Sequence, residues 1–278
     1  MKLKDIIIES TNKLRKLNIE DCSAKIKILI EYFFNISRNQ IILKEEKELT
    51  ESEILGFENL IKKIESGIPV QYITHKQEFM GLNFYVDENV LIPQPDTEIL
   101  VEEIIKYCNN IENKNIKILD LCTGSGIIAI SLGKYLKNVK IYASDLSKKS
   151  LEVAKKNANA NKVEINFIHS DMFENIDENN FDIIVSNPPY IETNIIKTLS
   201  KEVQNEPAIA LDGGDDGLKF YKIIAENAMQ YINKNGKIFL EIGYNQREKV
   251  SNLFKDYCKV TCIKDLASND RVLVIERK

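Results

Sequence analysis

Ile116-Lys117-Ile118-Leu119-Asp120-Leu121-Cys122-Thr123-Gly124-Ser125-Gly126 is followed at once by Ile127-Ile128-Ala129-Ile130-Ser131-Leu132. The first five residues form a short apolar run that suits a buried strand. The glycines let a backbone turn tightly and approach a ligand that a Cβ would hold off. The second apolar stretch is material for a helix packed on a sheet. The pattern recurs. Lys140-Ile141-Tyr142-Ala143-Ser144 reads as a strand ending at Asp145, and Ile165-Asn166-Phe167-Ile168 as one running into His169-Ser170-Asp171-Met172-Phe173. Phe181-Asp182-Ile183-Ile184-Val185-Ser186 and Lys237-Ile238-Phe239-Leu240-Glu241 add two more, with a helix expected over residues 217–232 and two last strands to finish the sheet. Strands alternating with helices imply an α/β fold with a mostly parallel sheet covered on both faces.

An acidic residue roughly 20 positions beyond such glycines is placed to bind two ribose hydroxyls, which is the reading of Asp145. Asp171 can accept from an adenine amino group while Met172 lies on the base. Two cofactors compete for this pattern. Gly124-x-Gly126-x-x-Ala129 fits the dinucleotide fingerprint, but a dinucleotide also needs its pyrophosphate over a helix N-terminus and a hydride-transfer site. No His, Lys or Tyr constellation supplies one. S-adenosyl-L-methionine carries no phosphate and needs a second edge where its sulfonium methyl meets a nucleophile. It is the favoured cofactor, with S-adenosyl-L-homocysteine as product. Asp120 divides evenly between capping the turn and touching cofactor, and His169 reads as structural.

Asn187-Pro188-Pro189-Tyr190 supplies that second edge, directly after the strand at residues 181–186. The Asn187 carbonyl oxygen and the Pro188 backbone carbonyl can each accept from a substrate N–H. Both prolines fix φ and restrict the residue before them, so the acceptors are held before substrate arrives. Tyr190 offers a ring on which a flat group can lie. The four residues point to methyl transfer to nitrogen, with Asn187, Pro188 and Tyr190 as catalytic candidates and Pro189 completing the substrate slot.

The blocks together resemble the HemK/PrmC family, the glutamine methyltransferases of peptide release factors. Beside the glycine loop, Asp145, Asp171 and Asn-Pro-Pro-Tyr, the resemblance rests on Pro69-Val70-Gln71-Tyr72-Ile73-Thr74, Glu78-Phe79-Met80-Gly81-Leu82 and Val90-Leu91-Ile92-Pro93-Gln94-Pro95-Asp96-Thr97-Glu98. It continues through Glu206-Pro207, Leu211-Asp212-Gly213-Gly214-Asp215-Asp216-Gly217, Glu241-Ile242-Gly243 and Asp265-Leu266-Ala267-Ser268-Asn269-Asp270-Arg271, so nearly the whole chain is covered. The resemblance implies a Rossmann-like seven-stranded methyltransferase sheet and a glutamine of a Gly-Gly-Gln tripeptide in release factors as target. It implies that Cys122, Thr123, Gly124, Ser125 and Gly126 surround the methionine part of the cofactor. Asp145 would hold the ribose, Met172 would lie beside the adenine, and Asn187 would stand near the sulfonium. Residues 187–190 would hold the substrate glutamine. Three departures stand out: Cys122 replaces a usual glycine, Gln94 and Asp96 replace Arg and Glu, and Met172 replaces a frequent Trp. Asn-Pro-Pro-Tyr is shared with enzymes that methylate exocyclic amines of adenine or guanine in nucleic acid. That activity and an idle translation-factor binding module are the alternatives.

The remaining sequence bounds the answer. At 278 residues the chain fits two domains of unequal size. Residues 1–69 read as a small helical bundle that, by resemblance, grips the release factor, 70–95 as a β-hairpin linker and 96–278 as the catalytic domain. Leu3, Ile6, Ile7, Leu14 and Leu17 give one apolar stripe, residues 28–34 a more fully buried segment, and Thr50-x-x-Glu53 a capping box before Ile54, Phe57, Ile61 and Ile64. Phe79, Leu82, Phe84 and Val86 alternate as a hairpin does. A net charge of −4 offers no global field for nucleic acid, so no direct nucleic-acid binding is expected. The N-terminus lacks signal-peptide character and no apolar run approaches the ~20 residues of a membrane span, so a cytoplasmic, membrane-free monomer is expected. The five cysteines are scattered without metal spacing and read as reduced thiols; no metal is expected, and the Asp212, Asp215 and Asp216 loop reads as a solvated turn.

Overall fold

The computed structural model describes residues 1–111 and 115–278, which divide into two units. The smaller comprises Met1–His75 together with Ser200–Asn205; the larger comprises Lys76–Leu199 and Glu206–Lys278.

The smaller unit is built from helices Leu3–Lys16, Cys22–Phe34, Arg38–Leu43, Glu51–Glu65 and Val70–Thr74. Leu3, Ile6 and Leu14 bury one face, and Phe57, Ile61 and Ile64 meet them in a common core. Leu17 departs from the expected stripe: the helix ends at Lys16, and Leu17 stands 54% exposed as its C-cap. The segment 28–34 is also less buried than its composition suggests. Ile26, Leu29 and Ile30 point inward at i, i+3 and i+4, which leaves Ile28 and Tyr32 on the outer face. The capping box at Thr50 forms, with the Glu53 amide donating to Thr50 Oγ1 at 3.2 Å and Glu53 Oε2 accepting from the Thr50 amide at 2.8 Å. Residues 70–74, expected within a hairpin linker, form a helical turn instead. Pro69 opens it, where a missing N–H costs nothing, and Val70 and Ile73 bury in the helical core. Lys25 pairs with Glu202 at 2.7 Å and Asn205 Nδ2 donates to the Gly67 carbonyl at 3.0 Å, which ties residues 200–205 to this unit.

The larger unit begins with a hairpin of β1 (Gln77–Phe79) and β2 (Leu82–Phe84). Met80 and Gly81 both take positive φ, as a two-residue turn of this kind demands. A seven-stranded sheet follows: β3 (Ile116–Leu121), β4 (Val139–Asp145), β5 (Asn166–His169), β6 (Phe181–Ser186), β7 (Ile232–Glu241), β8 (Cys258–Lys264) and β9 (Asp270–Arg277). Their order is β5-β4-β3-β6-β7-β9-β8, parallel except where β9 pairs with β7 and β8. This is an α/β Rossmann-like sheet. The helix expected over residues 217–232 spans Lys219–Tyr231, and Ile232 already belongs to β7. Ile118, Leu119, Ile183, Ile184 and Val185 are fully buried, as a parallel sheet covered on both faces requires. Helices Asp96–Asn109 and Ile127–Tyr135 supply Leu100, Val101, Ile104 and Ile130 to one core, and Lys219–Tyr231 supplies Tyr221 and Ile224 to the other.

The order reverses between β3 and β6. In open α/β sheets ligands bind outside the carboxyl ends of strands at such a switch point. Leu121 and Ser186 are register partners there, and the Ser186 hydroxyl donates to the Leu121 carbonyl at 2.8 Å. The glycine turn and Asn187 therefore leave the sheet side by side.

Asp120 sits beneath this point and is wholly buried. Its Oδ2 accepts from Thr123 Oγ1 at 2.6 Å, while Oδ1 has no partner among the described residues. Burial pushes the carboxyl from 3.8 up to about 7. Between those values the folded chain holds a proton that the unfolded chain has released, so stability from this group is complete below 3.8 and falls as pH rises to about 7. Asp120→Asn should remove that decline. In urea titrations, wild type should lose about 2.5 kcal/mol relative to the variant between pH 5 and pH 8; parallel pH profiles would contradict the assignment.

Candidate active site

One cavity opens at the switch point, within the larger unit. Of the residues singled out from sequence, Cys122, Gly124, Asp145, Asp171, Met172, Asn187 and Pro189 line it. Thr123, Ser125 and Gly126 do not. They lie beneath the turn: Thr123 binds Asp120, Ser125 is buried, and Gly126 caps the helix Ile127–Tyr135. Pro188 and Tyr190 are likewise outside the cavity lining.

The turn is held open by backbone geometry. Gly124 and Gly126 take φ of +56° and +84°, and Cys122 takes +59°. A non-glycine residue in that left-handed region costs about 1–2 kcal/mol, a strain that Cys122 carries and the glycine it replaces would not. Its Sγ lies 3.7 Å from Met172 Sδ, and burial first, then nearby carboxylates, push the thiol pKa up. Met172 also has positive φ, +45°. A Cβ placed on Gly124 would meet no atom within 4 Å, so a side chain there would occupy the cavity itself. The Thr123 amide donates to the Ser144 carbonyl at 2.9 Å and fixes the turn against β4.

Asp145, at the end of the neighbouring strand β4, lines the cavity beside the turn. Its Oδ2 accepts from the Gly124 amide and its Oδ1 from the Ser147 amide, each at 2.8 Å. Burial raises its pKa, opposed by those two bonds and by His169. The carboxylate keeps further lone pairs for a pair of hydroxyls. His169 has a structural contact, its Nε2 lying 2.8 Å from the Leu146 carbonyl. These features fit S-adenosyl-L-methionine: a backbone cradle without a Cβ, an acidic wall and an apolar floor.

The Asn187 corner is braced from three sides. Asn187 Nδ2 donates to Thr97 Oγ1 at 3.2 Å. Gln246 Nε2 donates to the Tyr190 carbonyl at 3.0 Å and the Gly217 carbonyl at 3.2 Å. The glycine-rich loop presses on the same backbone: the Ile191 amide donates to the Leu211 carbonyl at 3.0 Å, and the Gly213 amide donates to the Ile191 carbonyl at 2.8 Å. Tyr190 stays neutral because burial, then Glu241, raise its phenol pKa against Arg271. Arg271 pairs with Asp96 at 2.9 Å and Asp265 at 3.1 Å, so the unusual Asp96 has an ionic partner. Gln94 is exposed and bonds locally, its Nε2 reaching the Ile92 carbonyl at 3.0 Å. Glu206 Oε2 accepts from the Ile92 amide at 2.8 Å, which joins the two flanking motifs.

Several cavity residues were not among the site candidates drawn from the sequence. Asn89, Val90 and Leu91 form part of one wall, and Ile209, Ala210 and Phe220 another. Phe220 follows the glycine-rich loop, and an aromatic there was the available signal. No group of three or more His, Cys, Asp or Glu able to hold a metal occurs among the described residues. No helix among them is long and apolar enough to cross a membrane.

Gly213 tests the bracing. A Cβ on it would stand 2.7 Å from Tyr190 Cα and 2.9 Å from the Pro189 carbonyl, both backbone atoms. Gly213→Ala should therefore move residues 189–190 and cost about 1–3 kcal/mol by denaturant unfolding. An unchanged stability and backbone would contradict the close packing.

Residues 95–215 match the methyltransferase small domain family, and residues 5–74 match the PrmC N-terminal domain. A release factor glutamine methyltransferase of Clostridium acetobutylicum is 38% identical over 285 residues, covering 100% of this chain and 99% of its own. One of Flavobacterium psychrophilum is 42% identical over 254 residues, 89% of each chain. A crystal structure of a methyltransferase from Pyrococcus furiosus superposes with a TM-score of 0.53 at 19% identity, over 78% of this chain and 96% of that one, a likeness of fold. With a full-length match at this identity, on a sheet whose switch point carries the glycine turn and Asn-Pro-Pro-Tyr, the chain belongs to the HemK/PrmC family of release factor glutamine methyltransferases.

Proposed function

We propose that this protein transfers a methyl group from S-adenosyl-L-methionine to the side-chain amide nitrogen of the glutamine in the Gly-Gly-Gln motif of peptide chain release factors. The observation that carries the reading is the Asn187 corner, an amide held by Thr97 beside a cavity walled by Asp145 and the glycine turn. Family membership supports the substrate class. The cofactor supplies an activated methyl group and leaves as S-adenosyl-L-homocysteine. Cys122, Thr123, Gly124, Ser125 and Gly126 shape the pocket for its methionine end, Asp145 takes the ribose, and Asp171 and Met172 take the adenine.

An amide nitrogen is a poor nucleophile because its lone pair is delocalised into the carbonyl. Asn187 Oδ1 and the Pro188 carbonyl accept its two N–H hydrogens and aim the nitrogen. Such positioning removes roughly 7–11 kcal/mol of barrier in favourable cases. The neutral ring of Tyr190 favours positive charge growing on that nitrogen by about 0.5–2 kcal/mol. The proton departs after the methyl arrives, so no strong base is required of the chain. The acidic balance supports a protein substrate over nucleic acid, and a monomer acting in the cytoplasm completes the reading.

Incubation with labelled cofactor and release factor, ribosomal protein or DNA, followed by mass spectrometry, tests this directly. Label on the Gly-Gly-Gln glutamine is expected; label on a base would transfer the assignment to nucleic acid. Asn187→Ala should abolish transfer and leave cofactor binding within a few-fold by calorimetry, and full activity would refute its role. Asp145→Ala should weaken cofactor binding by about 1–3 kcal/mol, the worth of a charged hydrogen bond; an unchanged dissociation constant would remove it from the site.

A further inference from the structure

An asparagine amide has two faces, and only one suits a carboxamide substrate. If Asn187 offers its oxygen to the cleft, it binds a group bearing N–H. If it offers its nitrogen, it binds a carboxylate. Something in the protein must choose.

Two buried groups stand behind the amide. Ser186 and Leu240 are register partners on the parallel strands β6 and β7, so Asn187 and Glu241 occupy the next step on neighbouring strands. Glu241 is 2% exposed, and its Oε2 has no hydrogen-bond partner among the described residues. Thr97, 1% exposed on the helix Asp96–Asn109, accepts from Asn187 Nδ2 at 3.2 Å. Burial raises the Glu241 carboxyl to about 7, opposed first by a hydrogen bond from Thr97, then by the Arg271 charge and a hydrogen bond from Asn187.

The order of donors and acceptors fixes a direction. An ionised carboxylate only accepts, and a threonine hydroxyl has a single hydrogen to give. With its oxygen accepting from Asn187 Nδ2, Thr97 keeps its one hydrogen to give, and the acceptor at the neighbouring step of β7 is Glu241. The Asn187 NH2 must then face Thr97 and Glu241, and Oδ1 is left for the cleft. The reversed amide would set its oxygen against the carboxylate and the threonine lone pairs, leaving buried acceptors without a donor.

We infer that Thr97 and Glu241 are positioning residues that set the direction of the Asn187 amide, and thereby make the cleft select a carboxamide over a carboxylate. The inference rests on the proposed reading that Asn187 Oδ1 receives the substrate amide. The other charged or titratable groups facing Glu241 are Arg271 from β9, Asp96 from the helix start, and Tyr190; Tyr221, from the helix Lys219–Tyr231, donates to the Glu241 backbone carbonyl at 2.8 Å.

The test pairs a binding-independent readout with kinetics. In the free protein, the Asn187 side-chain N–H resonances should shift with a midpoint of about 7 in wild type and lose that shift in Glu241→Gln. Asp120 titrates in the same range but is intact in the variant, so the lost component belongs to Glu241. With release factor as substrate, Thr97→Val should lower kcat about tenfold or more with the cofactor dissociation constant within about twofold, and Thr97→Ser should restore most of it. Wild-type kcat should rise with pH through that midpoint, and Glu241→Gln should flatten the rise. An active wild type whose Thr97→Val and Glu241→Gln variants keep its kcat and pH profile overturns the positioning role alone. A wild type that leaves release factor unmodified overturns the functional reading instead, and a pH-independent Asn187 resonance then decides against the relay separately.

Discussion

The parallel pairing of β3 with β6 is the constraint on which the rest depends. Because Leu121 and Ser186 are register partners, the two strands release their chains at one level of the sheet. One continues as a glycine turn and the other as Asn-Pro-Pro-Tyr. A slip of register by one residue would turn every side chain of β6 to the opposite face and carry Asn187 away from the cavity. The fully buried Ile183, Ile184 and Val185 oppose that slip, since burying each such side chain is worth about 1.5–3 kcal/mol. The chemistry is thus located by hydrophobic burial and only then refined by hydrogen bonds.

Those hydrogen bonds point outward from the same corner. Thr97 and Glu241 support the Asn187 side chain, whereas Gln246, Gly213 and Gly217 hold the Tyr190 backbone. The supports come from the helix Asp96–Asn109, from β7 and the turn after it, and from the loop before Lys219–Tyr231. Prolines restrict the local chain, but distant elements decide where the rigid segment sits. Rigidity here is shared across the larger unit. The departures at Cys122 and Asp96 are absorbed in the same way. The left-handed Cys122 packs its sulfur on Met172, and Asp96 finds Arg271.

The parallel sheet was legible because strands buried on both faces read as continuous apolar runs with turn residues after them. Residues 181–186 were bounded correctly for that reason, and β3 to within one residue. Helical faces were less legible. Ile28 and Tyr32 sit in an apolar run that only Glu31 interrupts, and periodicity cannot tell a buried segment from an amphipathic one there. Val70–Thr74 is a single helical turn, too short for a pattern to show. At the cavity, residues flanking glycines or strand ends announced themselves, whereas Ile209, Ala210 and Phe220 reach it only through tertiary folding of a loop. Gln246 carries no local signature of the two carbonyls it binds.

The central claim is that a preorganised pair of acceptors captures a carboxamide and turns its nitrogen toward the activated methyl. A crystal structure with S-adenosyl-L-homocysteine and a Gly-Gly-Gln peptide measures this most directly. The account predicts the glutamine nitrogen within hydrogen-bond reach, about 2.7–3.2 Å, of both Asn187 Oδ1 and the Pro188 carbonyl, facing the cofactor sulfur. A glutamine bound with its nitrogen turned away from both oxygens, or the corner filled by the protein's own side chains, would contradict it.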